Sequence, residues 1–291
     1  RDGRPPLGPV PPARPLVRLA IEGTHMIKLI ASDMDGTLLD ENSQVPPETY
    51  GLIHELHEAG VHFAASSGRR LDTLHEFFAP VVDEMDFVAS NGAQVMVGGA
   101  LIDREVFSHI GLQRLKETVD RFDCLHIALF DRTRSFLLDD EDCFEREIDK
   151  DLLSAVRVYD VPEPEVNILK ASIFCDTPAY TMDMAYVLQR ELGDWFVFAP
   201  SGSKWIDVMQ MGVSKASGIQ QIMHHLGIEA SEVMAFGDAM NDYEILRLVG
   251  HPVAMGNGRY AAKQIAERVI GSNTEQAVQA EMRRVLAGMR G

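Results

Sequence analysis

From Ile27 onward, short apolar runs alternate with longer stretches whose apolar positions recur every three or four residues. A short continuous apolar run predicts a buried strand, and a 3.6-residue period predicts an amphipathic helix. "IKLIAS" (27–32), "VHFAAS" (61–66) and "DFVAS" (86–90) read as strands. "PPETYGLIHELHEAG" (46–60) reads as a helix that opens on proline and stops at Gly60, and "RLDTLHEFFAP" (70–80) as a second helix. "NGAQVMVGGALIDREV" (91–106) has hairpin character around Gly98 and Gly99. The final third repeats the pattern: "KASGIQQIMHHLG" (215–227), "NDYEILRLVG" (241–250) and "AAKQIAERV" (261–269) as helices, "VMAFGD" (233–238) and "HPVAM" (251–255) as strands. Regular alternation of strand and helix predicts an α/β fold with a parallel sheet covered on both faces.

The middle of the chain follows another rule. "HIALFD" (126–131), "RSFLLDD" (134–140), "ILKASIFCD" (168–176) and "WFVFAPS" (195–201) read as strands with a single helix, "AYTMDMAYVLQREL" (179–192), among them. This predicts an α+β unit over 107–198, inserted into a discontinuous core formed by 26–106 and 199–291. Residues 1–25, proline-rich and basic without a periodic apolar face, are expected to form a disordered extension.

Composition narrows the class. Hydrophobic content of 46% supports packed cores, and no apolar run reaches the length of a membrane span. Three cysteines without a CxxC pair, Cys124, Cys143 and Cys175, indicate neither a disulfide framework nor a zinc cluster, and fit a reducing cytoplasm. A formal charge of -17 argues against nucleic acid and anionic membranes as partners. An anionic substrate would need a local reversal of that field.

Ligands of parallel α/β sheets bind beyond the carboxyl ends of the strands. Asp33 and Asp35 follow the first strand; Ser67, Gly68 and Arg69 follow the second; Lys215 leads the helix after 214; Asp238, Asn241 and Asp242 follow "VMAFG". Two acidic groups at one sheet edge need a positive charge between them. Mg²⁺, which takes carboxylate and carbonyl oxygens and leaves positions for phosphate oxygens, is the natural choice, with Lys215 as a second cation.

These segments, in this order, resemble the haloacid dehalogenase superfamily, specifically its Cof-type phosphatases with the larger (C2B-type) α+β cap. "DMDGT", "SSGR", "GVSKASGI" and "GDAMND" match the four motifs of that family, and "SNGAQV" and "VAMGNG" look like its further landmarks. The second motif carries Ser67 where the family often has Thr, which keeps the hydroxyl. The resemblance implies a Rossmann-like parallel-sheet core with an inserted cap, and a Mg²⁺-dependent phosphatase acting on the monoester of a small phosphorylated metabolite. Sugar phosphates are the first expectation, with FMN and pyridoxal phosphate next. It implies Asp33 as the nucleophile forming an aspartyl-phosphate, Asp35 as general acid and then base, and Lys215 neutralising charge between Asp33 and the phosphate. Metal ligands would be the Asp33 and Asp238 carboxylates and the Asp35 backbone carbonyl, with Asp242 orienting the metal's shell or Lys215. Ser67, Gly68 and Asn241 would contact phosphate, Arg69 would steer or bind it, and Asn91 would face the site from the hinge side.

Alternatives remain at this level. A phosphomutase of the same superfamily shares the DxDGT start, and a catalytically silent binding protein could use the same scaffold. "HELHE" (54–58) lacks the second histidine of a zincin motif, because Glu58 stands there, and His224 and His225 read as an ordinary helix pair. "GNGRYA" (256–261) fits a dinucleotide fingerprint formally, without an acidic residue at the end of a following strand. The chain is expected to be a cytoplasmic monomer or homodimer.

Overall fold

The computed structural model describes residues 26–138, 155–201 and 203–290; the expected N-terminal extension (1–25), Cys143 and the end of "RSFLLDD" lie outside them. The apolar runs of the first and last thirds pair with one another. In chain order the first third supplies β1 (Leu29–Ser32), β2 (His62–Ser66), β3 (Asp86–Ala89), β4 (Gln94–Val97) and β5 (Ala100–Arg104). The insertion supplies β6 (Leu125–Phe130), β7 (Ser135–Leu137), β8 (Ala155–Arg157), β9 (Lys170–Cys175), β10 (Phe196–Ser201) and β11 (Trp205–Gln210). The last third adds β12 (Val233–Gly237), β13 (His251–Ala254) and β14 (Arg268–Val269).

The main sheet runs β14-β13-β12-β1-β2-β3-β4-β5. Its strands are parallel from β14 to β3, and the β4–β5 hairpin closes the other edge antiparallel. β1 and β12 are buried at every residue because helices cover both faces. Leu52, Ile53 and Leu56 of helix Glu48–Glu58 pack on one face with Val278, Met282 and Leu286 of helix Ala277–Met289. Ile219 and Ile222 of helix Lys215–Leu226 pack on the other with Ile245 and Leu246 of helix Tyr243–Leu248. β1 and β12 are neighbours, so Asp33 and Asp238, the residues that follow them, come together although 205 positions separate them in sequence.

The second sheet runs β10-β11-β9-β6-β7-β8, antiparallel except between β7 and β8. Helices His109–Val119 and Thr181–Leu192 cover one face through Leu112, Leu115, Ala185 and Leu188. The other face carries Phe130, Phe174 and Trp205.

The structure corrects two boundaries. The sequence pattern places the return to the core at 199, but β10 and β11 form a hairpin within the second sheet, which keeps the chain there to Gln210. The last expected helix stops at Ile265, and Arg268–Val269 adds the edge strand β14. Strand β8 and helix His109–Val119 were not expected. Among the described residues no helix is long and apolar enough to cross a membrane.

Candidate active site

β1 ends at Ser32, and the backbone of Asp33 is extended before it turns through Gly36, whose φ of 77° is open to glycine at little cost. A Cβ at Gly36 would lie 2.8 Å from Asp238 Oδ2, so the glycine also lets the turn close onto the carboxylate that follows β12. Thr37 Oγ1 donates to Asp238 Oδ1 at 3.2 Å and fixes that carboxylate from the same turn.

Lys215 opens helix Lys215–Leu226, which is capped by Ser214 and Ser217 in a reciprocal pair of side-chain hydrogen bonds. Its side chain is 1% exposed, and Nζ donates to Asp33 Oδ1 at 2.5 Å and to Asp242 Oδ1 at 2.8 Å. The other oxygen of Asp242 accepts from the Asp238 and Ala239 amides at 3.0 Å each. Asp242 thus orients Lys215 while closing the turn beyond β12.

Carboxylate oxygens of Asp33, Asp238 and Asp242 lie within 4.8 Å of one another. Burial pushes the Asp33 carboxyl well above the usual carboxylate range, the negative charges of Asp242 and Asp238 add to that, and Lys215 opposes it. Burial and then Asp242 raise Asp238 as well. Burial works against the Lys215 ammonium, yet Asp242 and Asp33 outweigh it and hold its pKa above the ordinary value. Three carboxylates around one ammonium leave a buried negative excess made only of oxygen donors. That set suits a hard divalent cation such as Mg²⁺.

The loop after β2 sits beside this cluster. Ser67 is buried, its amide bonded to Val88 O, and its Oγ accepts from the Arg69 amide at 3.1 Å. The Arg69 guanidinium grips Asp35 through two hydrogen bonds, Nε to Oδ2 at 2.9 Å and Nη2 to Oδ1 at 2.7 Å. The structure therefore brings Asp33, Lys215, Asp238 and Asp242 into direct contact, and holds Asp35 at the solvent side of the cluster against Arg69. Asn241 lies exposed on the turn between Asp238 and Asp242, outside this set of hydrogen bonds. Asn91 packs over Gly68, where a Cβ would come within 3.1 Å of its Nδ2.

A cleft of about 1260 Å³ opens between the two sheets. Arg69, Ser90, Lys170, Ser172, Trp205 and Asp207 are among its lining residues, whereas Asp33 and Lys215 are not.

Several residues of this arrangement escaped the sequence reading. Thr37 lies inside the quoted DGT turn, and Asn257 inside "GNG", where its Nδ2 donates to Gly36 O at 2.8 Å. "GNGRYA" thus supports the turn after β1; Arg259 N also bonds Asp238 O at 2.7 Å. Lys170, Ser172 and Asp207 carried no local signal. His54 of "HELHE" is exposed and pairs with Glu84, and His224 and His225 are exposed on their helix.

Comparison with known proteins agrees with this geometry. A family profile described as haloacid dehalogenase-like hydrolase matches residues 30–282. HMP-PP phosphatase of Cronobacter sakazakii is 29% identical over 261 residues, covering 87% of this chain and 93% of its own length. The 5-amino-6-(5-phospho-D-ribitylamino)uracil phosphatase YbjI of Escherichia coli is 28% identical over 253 residues, with the same coverage of 87% and 93%. Among solved structures, SMU.1108c from Streptococcus mutans superposes with a TM-score of 0.81 at 22% identity, over 90% of this chain and 99% of that one, a likeness of fold.

Proposed function

The chain belongs to the haloacid dehalogenase-like hydrolases, and from that premise we propose that it is a Mg²⁺-dependent phosphatase that hydrolyses the monoester of a small phosphorylated metabolite through a phosphoryl group carried on Asp33. The observation that carries this reading is the buried Asp33 carboxylate, held at 2.5 Å by Lys215 and flanked by Asp238 and Asp242.

Asp33 and Asp238, with the Asp35 backbone carbonyl, would hold the metal, and Mg²⁺ supplies charge neutralisation and orientation for the phosphate oxygens. Lys215 keeps Asp33 aimed and offsets the negative charge that gathers when an anionic ester approaches it. An Asp33 oxygen attacks phosphorus, the ester P–O bond breaks, and the leaving alkoxide takes a proton from the Asp35 carboxyl. Asp35 then takes a proton from water, which attacks phosphorus, releases phosphate and restores Asp33. Ser67 and the backbone around Gly68 would hold an oxygen of the transferring group, and Asn241 would reach it from the turn after β12. Arg69, which lines the cleft and pairs with Asp35, would steer an incoming phosphate toward Asp33.

Both curated relatives are named as phosphatases, one of them of a ribitylamino-uracil phosphate. We take a phosphorylated sugar or sugar alcohol, free or joined to a ring, as the substrate class. Phosphate release from a panel of sugar phosphates, FMN, pyridoxal phosphate and an aryl phosphate tests the reading. Turnover that requires Mg²⁺, stops with EDTA and is lost in Asp33→Asn is expected. Release that persists in Asp33→Asn would overturn the assignment.

A further inference from the structure

Five polar side chains meet where the second sheet faces the Ser67–Arg69 loop, and the chemistry at phosphorus uses none of them. Ser172 and Asp207 stand directly opposite each other in the antiparallel β9–β11 pair, and Ser172 Oγ donates to Asp207 Oδ1 at 3.0 Å. Lys170, two residues before Ser172 and therefore on the same face of β9, places Nζ 3.8 Å from Asp207 Oδ1 and donates to the carbonyl of Gly68 at 2.9 Å. From the core, Asn91 Nδ2 donates to Asp207 Oδ2 at 3.2 Å. Ser90, Lys170, Ser172 and Asp207 all line the cleft.

The core side of this cluster is costly. Ser90 and Asn91 are 6% and 4% exposed, and among the described residues Ser90 Oγ and Asn91 Oδ1 have no hydrogen-bond partner. A buried polar atom left unpaired costs about 1–3 kcal/mol. Both residues also hold left-handed backbone, with φ of 51° and 55°, a conformation that costs a further ~1–3 kcal/mol at a non-glycine residue. The turn is kept by Ser90 N to Arg69 O, by Asn91 N to Ser67 O, and by Gly92, where a Cβ would strike Ser214 O. A ligand that pairs with Ser90 Oγ and Asn91 Oδ1 would offset this cost.

The chemistry of the cluster selects the ligand group. A carboxylate has about four acceptor positions, and an ammonium three protons. The hydrogen bonds given above use two positions on Asp207 and one proton on Lys170. Acceptors and donors therefore alternate within a few ångströms, which matches a row of hydroxyls, each giving one hydrogen bond and taking another. A second anion would meet the Asp207 charge, and an alkyl chain would leave the Ser90 and Asn91 oxygens and the spare positions on Asp207 and Lys170 unpaired.

We propose that Asp207, with Lys170 and Ser172 beside it and Ser90 and Asn91 opposite, is the specificity-determining group that reads hydroxyls on the carbon chain attached to the phosphate. This inference rests on the phosphatase reading for its kinetic test. The Lys170 bond to Gly68 ties hydroxyl recognition on the cap to the loop proposed to hold the phosphoryl oxygen.

The test compares ribitol phosphate with pentyl phosphate, a chain of equal length without hydroxyls, in the native enzyme and in Asp207→Ala. The native ratio of kcat/KM is expected to favour ribitol phosphate on the order of a hundredfold, since a site built to hydrogen-bond hydroxyls rejects an analogue that lacks them. In Asp207→Ala that ratio is expected to fall at least about tenfold, chiefly through KM for ribitol phosphate. Ser172→Ala, which deletes one hydroxyl, is expected to shift it in the same direction by less and keeps the test decisive if Asp207→Ala does not fold. A ratio in both variants within about twofold of native would overturn the inference and leave the phosphatase standing. Calorimetric binding of both esters to Asp33→Asn, with and without Asp207→Ala, separates the two readings. A preference for ribitol phosphate that depends on Asp207, in a chain whose native form releases no phosphate, would support hydroxyl recognition and overturn the phosphatase. Equal binding of the two esters would overturn hydroxyl recognition.

Discussion

Asp242 Oδ1 accepts a hydrogen bond from the buried ammonium of Lys215 at 2.8 Å, while its second oxygen is held by two backbone amides. The ammonium is thereby fixed between Asp242 and Asp33, and it is the counter-charge for two buried carboxylates and the half-buried Asp238. Lys215→Met removes that charge and leaves the carboxylates facing one another. Breaking a buried ion pair from one side costs about 3–5 kcal/mol, and urea denaturation without metal is expected to show a loss of that size. Added Mg²⁺ is expected to recover part of it. A Lys215→Met protein as stable as native, or one indifferent to Mg²⁺, would contradict the arrangement.

Asp35 is exposed and gripped by Arg69, itself a lining residue of the cleft. If its work is proton transfer, Asp35→Asn should slow esters with poor leaving groups most. General acid–base catalysis contributes on the order of a hundred- to ten-thousandfold. The expected loss is of that order for an alkyl phosphate, and at least about tenfold smaller for a nitrophenyl ester, whose phenolate leaves without a proton. Equal losses on both would assign Asp35 a structural part.

A pH effect on stability is expected far from the site. His62 Nδ1 donates to the buried Asp86 carboxylate at 2.8 Å, and that hydrogen bond, joined by the Asp86 charge, raises the imidazole pKa above its ordinary 6.5 against the opposing effect of burial. A raised histidine contributes stability that is complete below the unfolded value and disappears as pH climbs through the folded one. The ring is partly exposed, so the effect is kept to less than about 1 kcal/mol. Denaturation curves on either side of neutrality should show stability falling with rising pH in the native chain and a flatter profile in His62→Gln. A native profile rising over that interval would contradict the assignment.

Legibility in the sequence followed the range of the contacts. Asp33, Asp238 and Lys215 could be found because each stands where an apolar run ends or a helix begins, and in a parallel sheet those positions share one edge. The partner of Asp35 could not, since the sequence leaves Arg69 open between steering and binding phosphate, and its grip on Asp35 depends on how the β1 and β2 loops lean together. β11 carries little local signal, because "WIDVMQ" is short and only its pairing with β9 and β10 identifies it. With β11 went Asp207, a lone acid in a strand whose meaning comes from its register with Ser172 on β9. Antiparallel register between distant strands leaves no local mark, which is why the cap residues emerged only from the fold.

The measurement that tests the central claim most directly is the mass of the Asp33-containing peptide after acid quench of a single turnover in Mg²⁺ with a hydrolysed ester. The expected result is a transient phosphoryl adduct on Asp33, formed before free phosphate appears and trapped for longer in Asp35→Asn. Phosphate release in a single burst with no adduct on Asp33 at any time, or an adduct on another residue, would contradict covalent transfer through Asp33.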